Sequence, residues 1–519
     1  MVLKIASMLL SGLVLIACGI ARGQDPASTA GSDALLAVRE YHATHARKIL
    51  DELRDFLALP NVASDRDQIE RNADHLVALL ERRGIAARTL RVPGAPPAVY
   101  GAYNVPDAAR TVVFYAHYDG QPAPADQGWV SDPWTPVLRA GALADGADVL
   151  DWTELDGDID EDWRIYARSA SDDKSPIIAL LAAFDALQAA GIEPAVNLRF
   201  FFEGEEEAGS PHLADLLHAH RDLLTADLWL FCDGPVHQDG RGQVVFGVRG
   251  ALGLEMTVYG PLRALHSGHY GNWAPNPAAR LAELIASMRN GDGDILVDGF
   301  YDQVRPLGDA EQAALAAVPD ADTALRRELA IGRAEADDAR LVERIMLPAI
   351  NVRGIRAGGV QDEAANAIPT EAHASMDFRL VPDLGPDDVK SLVEAHVRAQ
   401  GYTIVRDTPA PDIRRKHAQL VRMNWGGGYP GLRTPMDLPV SRAVAAAVEA
   451  ARGEAVVRIP NLGGSLPIYL FDEILDTTLI IVPMVNHDNN QHAANENVRI
   501  GNIWTGIDMY AYLMARLDW

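Results

Sequence analysis

The sequence predicts an α/β fold: a mostly parallel sheet covered by helices on both faces, interrupted by an inserted α+β domain. Three observations carry this expectation. From Lys174 onward, helical segments and near-continuous apolar strands alternate (helix 174–190, strand 196–203, helix 211–220, strand 228–232), the pattern of a parallel sheet buried on both faces. Near Val248 the character changes to alternating segments at 252–259, 372–380 and 402–406, accompanied by amphipathic helices at 277–288 and 386–400. The run Gly426-Gly427-Gly428-Tyr429-Pro430-Gly431 then reads as a hinge back, and helix 440–452, strand 477–482 and helix 503–516 complete the first sheet. A chain of 519 residues accommodates this division. The expected boundaries are a signal peptide at 1–24, a larger domain at 25–247 plus 427–519, and the inserted domain at 248–426.

At the start of the chain, Lys4 is the only charge before Arg22, and 8–17 is an apolar run too short to span a membrane. Leu15-Ile16-Ala17-Cys18-Gly19 resembles a bacterial lipobox, which would make Cys18 a lipid anchor; cleavage before Gln24 without lipidation is the competing reading. Either way, an exported protein is expected, periplasmic or anchored to a bacterial membrane. With Cys18 removed or lipidated, only Cys232 remains, so no intrachain disulfide is expected and Cys232 reads as a small buried apolar residue. Residues 25–32 read as a flexible tether, followed by helices at 33–59, stopped by Pro60, and 65–83, stopped by Gly84. Strands follow at 99–103 and 111–115, the second running into Ala116-His117-Tyr118-Asp119-Gly120.

Between Arg139 and Arg164 lie nine acidic residues and no basic one. Asp156, Asp158 and Asp160 imitate the start of a calcium loop, but Glu161 stands where its glycine belongs and Ala167 where its closing glutamate belongs. A solvated insertion is the better reading. Residues 301–345 are polar, helix-prone and expected to be peripheral. The net charge of -26 argues against nucleic acid or an anionic membrane surface as a partner.

The chemistry is expected around Phe200-Phe201-Phe202-Glu203-Gly204-Glu205-Glu206-Glu207-Ala208-Gly209-Ser210, where an aromatic strand empties into four glutamates. Carboxylates crowded at the end of a buried strand repel one another and lose hydration, and bound cations are the usual compensation. A solvated acidic loop is the ordinary alternative. His117/Asp119, Glu206/Glu207 and Asp233 all fall at carboxyl ends of expected strands, where active groups of such folds gather, and Asp172 lies just before a helix. Taken singly, each has an ordinary reading: a structural histidine, a helix N-terminal carboxylate, a turn aspartate, a surface His492. Their order and type together point to one site.

In that order the sequence resembles the co-catalytic di-zinc peptidases of metallopeptidase family twenty, the carnosinase, glutamate carboxypeptidase and aminoacylase type. The matching pieces are His117-Tyr118-Asp119, Ser171-Asp172-Asp173-Lys174, the glutamate run 203–210, Asp233 and His492-Ala493-Ala494-Asn495-Glu496. Leu265-His266-Ser267-Gly268, Phe378-Arg379-Leu380-Val381-Pro382 and Gly463-Gly464-Ser465-Leu466-Pro467 belong to the same set. The resemblance implies a di-zinc exopeptidase fold whose inserted domain acts as a lid and dimerisation domain. It implies two Zn2+, with Co2+ or Mn2+ as substitutes, bridged by Asp172; one is also held by His117 and Asp233, the other by Glu207 and His492. Asp119 would orient His117, and Glu206 would be the general base toward the metal-bridging water. Arg379 would clamp a free carboxylate with help from Gly464 and Ser465. Asn366 would add a polar contact, and His266 would stabilise the oxyanion, in some relatives from the partner subunit of a homodimer.

The implied activity is hydrolysis of dipeptides or short peptides bearing a free C-terminal carboxylate, by dipeptidase or carboxypeptidase action. Deacylation of N-acyl amino acids by the same metal machinery is the alternative, and a surface lipoprotein that binds without catalysis is a reading from another class. The chain departs from the family pattern at Ala167-Arg168-Ser169 and Ser175, where glycines are usual around the bridging aspartate. It also has Asn424-Trp425 in the region where dipeptidase relatives carry a histidine, and His487 is a rival to His492. No Gly-x-Ser-x-Gly elbow or His-Glu-x-x-His helix is present.

Overall fold

The computed structural model describes residues 26–336 and 339–519. The expected signal segment and lipobox therefore lie outside the described residues. Among those residues no helix is long and apolar enough to cross a membrane.

An eight-stranded sheet forms the larger layer, in the order Ala86–Leu90, Ala98–Tyr103, Asn197–Glu203, Thr111–His117, Leu228–Phe231, Thr478–Ile481, Gln243–Val245, Val457–Ile459. The four central strands are mutually parallel, while Ala98–Tyr103 and Gln243–Val245 join antiparallel on either side. Alternation of side chains divides the core into two layers. Val112, Phe114, Phe200, Phe202, Leu230 and Ile480 pack with Pro26–Leu57, Arg66–Glu81, Lys174–Ala190, Pro439–Arg452 and Ile500–Arg516 on one face. Val113, Tyr115, Phe201, Trp229 and Phe231 pack with Leu213–Ala219 and Tyr469–Leu475 on the other. The strands are apolar throughout because both of their faces are covered.

Most expected elements appear with shifts of one to three residues at their ends. Asp65 caps the second helix by accepting from the Gln68 N–H, and Gly84 ends it with φ of 74°, a left-handed conformation that glycine adopts without strain. The tether is a correction: the first helix begins at Pro26, so residues 26–32 are helical. Its early turns, Ala-Ser-Thr-Ala-Gly-Ser, have loop composition, and the helix is carried by the apolar positions that follow.

The second sheet has the order Ala349–Arg356, Glu371–Leu380, Gly250–Tyr259, Leu420–Tyr429, Thr403–Val405, antiparallel except at the last pair. Helices Pro277–Met288 and Pro386–Ala399 cover one face over a separate core that includes Leu254, Met256, Leu281, Met376, Phe378 and Val393. Two expectations are corrected here. The three glycines of 426–428 lie inside the strand Leu420–Tyr429, and the chain crosses between sheets where Gly247–Val248 pairs with Leu432–Arg433. The segment 301–345 is not merely peripheral: Ala314, Val318 and Val342 pack on the larger core, and Arg433 forms an ion pair with Glu311 at 2.8 Å. Its few apolar residues at helical spacing suffice for that docking despite the polar composition.

The acidic insertion carries strands of a four-stranded sheet, Asn497–Arg499, Arg164–Tyr166, Val137–Arg139, Val149–Leu150. Arg47 reaches Asp156 at 3.0 Å and Arg499 reaches Asp162 at 2.5 Å, while most of the other carboxylates face solvent.

Candidate metal centre

Three neighbouring parallel strands deliver the site at their carboxyl ends. Thr111–His117 ends on His117, Asn197–Glu203 leads into Glu206–Ala208, and Leu228–Phe231 is followed by Asp233. Asp172 precedes helix Lys174–Ala190, and the Asp172–Asp173 peptide is cis. His492 comes from the loop after Thr478–Ile481, with φ of 61°.

These side chains converge as two groups that share Asp172. His117, Asp172 and Asp233 form one, Asp172, Glu207 and His492 the other, with ligand-type atoms in each group all within 4.8 Å. His117 Nε2 stands 2.8 Å from Asp172 Oδ1 and 4.0 Å from Asp233 Oδ2. His492 Nε2 stands 3.0 Å from Asp172 Oδ2 and 3.2 Å from Glu207 Oε2. The two Asp172 oxygens thus face different histidines. Glu206 Oε2 lies 3.9 Å from His117 Nε2, but Glu206 belongs to neither group. The rival His487 is exposed, and its neighbour Asp488 is paired with Arg164.

The electrostatics identify what this donor set suits. Burial, with Asp172 nearby, pushes Asp233 up to about 7, and burial together with Asp233 and Asp172 raises Glu206 well above the carboxylate range. Hydrogen bonds to Asp172 and Glu207 push His492 up to about 10. Burial opposes protonation of His117, yet hydrogen bonds to Asp119 and Asp172 hold it well above the usual range. Four carboxylates (Asp172, Glu206, Glu207, Asp233) gathered with two imidazoles call for positive charge, and divalent cations supply it. Nitrogen and oxygen donors without thiolate fit zinc, cobalt or manganese.

A second layer fixes the donors. Asp119, fully buried, accepts from the backbone N–H groups of Glu206 and Glu207, both at 3.0 Å, and lies 3.5 Å from His117 Nδ1. Gln121 Nε2 donates to Glu207 Oε2 at 2.8 Å. Glu203 accepts from the Tyr115 hydroxyl at 2.8 Å and Glu205 pairs with His212 at 2.8 Å, so neither is available as a ligand. Lys174 is buried, its Nζ donating to the carbonyls of Phe56 and Leu59.

Arg379 Nη1 donates to Ser465 Oγ at 2.9 Å and its Nε to Asp377 at 3.1 Å. Leu466 and Pro467, next along that loop, line a small pocket together with Glu206 and Asp233. Gly464 accepts from the Arg249 N–H. His266 and Asn366 are together in the second sheet's domain, both exposed, with Ser267 N–H donating to the Asn366 carbonyl. Among the described residues no hydrogen bond or ion pair joins either to the metal-type groups. Sequence reasoning assigned no role to Gln121, Arg249 or Glu496, or to the stacked pair Tyr429 and Tyr469, whose rings are 6.1 Å apart. Glu496 was visible, four residues after His492, within the quoted motif.

Residues 113–516 match the family described as Peptidase family M20/M25/M40. The chain is 27% identical to the Cys-Gly metallodipeptidase of Schizosaccharomyces pombe, covering 89% of this chain and 94% of that protein. It is 24% identical to the human Beta-Ala-His dipeptidase, covering 98% and 97%. Among solved structures, it resembles the M20 family metallo-carboxypeptidase Sso-CP2 of Sulfolobus solfataricus with a TM-score of 0.72 and 27% identity, covering 90% of this chain and 98% of that one. Human carnosine dipeptidase 1 shares the fold with a TM-score of 0.69 at 23% identity, covering 93% and 98%. One expectation is overturned here. Relatives matched over most of the chain include the yeast Cys-Gly metallodipeptidases and the human Beta-Ala-His dipeptidase, so the reading as a periplasmic or membrane-anchored bacterial lipoprotein does not stand. By its sequence match and its fold, the chain belongs to Peptidase family M20/M25/M40 and is a metallopeptidase, a hydrolase of peptide bonds.

Proposed function

We propose that this chain is a dipeptidase with two metal ions, zinc by preference, acting on short peptides with a free C-terminal carboxylate. The observation that carries this reading is the pair of donor groups sharing Asp172, with Glu206 beside them and outside both. The relatives named as Cys-Gly and Beta-Ala-His dipeptidases support the substrate class. In this reading His117, Asp172 and Asp233 hold one ion and Asp172, Glu207 and His492 the other. When bound, the two ions supply Lewis-acid polarisation of the scissile carbonyl and an acidified water.

The remaining work falls to the protein. Glu206 Oε2, held beside His117, accepts the proton from the attacking water and returns it to the leaving amine. Asp119 fixes the tautomer of His117 and, through the Glu206 and Glu207 N–H groups, the place of the glutamates. Arg379 receives the substrate carboxylate, because its planar fork suits a two-point contact, and Ser465 positions that fork.

The catalytic domain is read as 25–247 plus 427–519 and the lid as 248–426. His266 and Asn366, exposed on the lid, are read as serving the site of the second copy in a homodimer, His266 stabilising the oxyanion. Mixing His266→Ala with Glu206→Gln protein tests that arrangement, since only exchange of lids between copies restores activity.

The substrate reading is tested by product analysis of metal-loaded protein on Cys-Gly, β-Ala-His, longer peptides and N-acetyl amino acids. Cleavage of dipeptides supports it. Cleavage of N-acetyl amino acids alone would replace it with a deacylase.

A further inference from the structure

Arg249 sits one residue before strand Gly250–Tyr259, where the chain leaves the crossing between the two sheets. Its backbone N–H donates to Gly464 O and its Nε to Gly463 O, each at 3.1 Å. Arg379 reaches the same loop from the next strand, whose register pairs it with Ala251, and Ser465 Oγ links its Nη1 to the Gly250 carbonyl. Residues 463–465 are thus held between two guanidinium groups. Asp377 lies against Arg379, at 3.1 Å from its Nε. No carboxylate forms an ion pair with Arg249 among the described residues.

This charge balance matters for binding. An Arg379–Asp377 pair presents little net charge to an incoming carboxylate, whereas two guanidinium groups with one carboxylate leave one positive charge unbalanced. Arg249 is half-buried, and burial together with the Arg379 charge, against the opposing pull of Asp377, brings its pKa down to about 10. Because Arg249 is partly dehydrated, that unbalanced charge acts more strongly than it would in water.

We propose that Arg249 is a specificity-determining residue: the second cation of the substrate-carboxylate site, supplying the net positive charge while Arg379 sets the orientation. This rests on the dipeptidase reading above. An Arg249 that only tethers the loop is the alternative, and two substitutions separate them. Arg249→Lys keeps the charge and loses the Nε contact geometry, while Arg249→Gln keeps an amide donor and loses the charge.

The experiment uses metal-loaded full-length protein, a dipeptide that the wild type cleaves, and its C-terminal amide. The expected result is that Arg249→Gln raises KM for the free acid roughly tenfold or more, with kcat and metal content little changed. The preference for acid over amide should shrink by the same factor, and Arg249→Lys should retain most of it. Calorimetric binding of a non-hydrolysable dipeptide acid makes the same comparison without turnover. Equal losses in both variants, or equal losses on acid and amide, would overturn the proposal. A wild type that cleaves no dipeptide refutes the functional reading instead, and the calorimetric comparison of wild type and variants still decides the role of Arg249.

Discussion

The Glu496 carboxylate accepts the backbone N–H of Asp172 at 3.0 Å, so the loop that carries His492 grips the loop that carries the shared aspartate. The same carboxylate receives the N–H groups of Ser169 and Ser171, the Ser171 hydroxyl and the Arg168 guanidinium, and it is fully buried. Arg168 lies over the Trp129 ring at 5.1 Å, which closes this cradle from outside. The position of Asp172 between two histidines therefore depends on a residue that touches neither.

Glu496→Ala should leave those donors without their acceptor, each costing about 1–3 kcal/mol when buried. The expected outcome is a lower Tm together with metal affinity reduced roughly 10- to 100-fold. Chelator competition on the folded fraction measures the second effect separately. Wild-type affinity in a destabilised mutant would show that the cradle serves folding alone.

Glu206→Gln should retain both ions and lose on the order of 100- to 10,000-fold in kcat, because the amide fills the same space but cannot take a proton. Elemental analysis and steady-state kinetics on one preparation check both parts. Near-normal kcat in a fully loaded mutant would remove Glu206 from its role.

Asp119 is expected to act at one remove from the metals. Asp119→Ala should leave His117 Nδ1 only the residue's backbone carbonyl, at 3.1 Å, in place of the added carboxylate at 3.5 Å, and free the two N–H groups at 206 and 207, lowering metal affinity roughly 10- to 100-fold. Asp119→Asn, which keeps an acceptor on one side only, should fall between. Titration with a zinc-sensitive dye orders the three proteins.

Protons and metal should compete. Asp233 titrates near 7 in the fold against 3.8 ordinarily, and His492 near 10 against 6.5. A group whose folded pKa is raised keeps its proton after the unfolded chain has released it, so its contribution to stability is lost as pH rises between the two values. Asp172, held low by its hydrogen bonds with both histidines against the effect of burial, has the opposite sign, but only below 3.8. Between pH 4 and 10 the metal-free protein thus loses stability from this site, and metal replaces the protons. The Tm difference between metal-loaded and chelator-treated protein should be larger at pH 8 than at pH 5.5; a difference that shrinks would contradict this.

Where the sequence was legible, single elements carried a redundant signal. Helix Lys174–Ala190 was read with its observed ends, because its apolar run is bounded by acidic residues before it and Gly191 after it. His117, Asp172, Glu206, Glu207, Asp233 and His492 were readable as one constellation from their types and order, while the division into ligands and base came only from the family resemblance. The strands Gln243–Val245 and Val457–Ile459 were not read, since three residues carry no period. Glycines 426–428 looked like a hinge because composition cannot distinguish a flexible linker from a strand whose backbone closely approaches its neighbour, as at Gly428 and Leu252. Arg249 escaped because its charge environment is set by residues 130 and 128 positions away, Arg379 and Asp377, which only the fold brings beside it.

The most direct test of the central claim is anomalous-scattering crystallography of zinc-loaded protein, with metal counts for His117→Ala and His492→Ala. Two ions are expected on either side of Asp172, one held with His117 and Asp233 and the other with Glu207 and His492, and each histidine mutant should lose one of them. A single ion, or two ions that do not share Asp172, would contradict the claim.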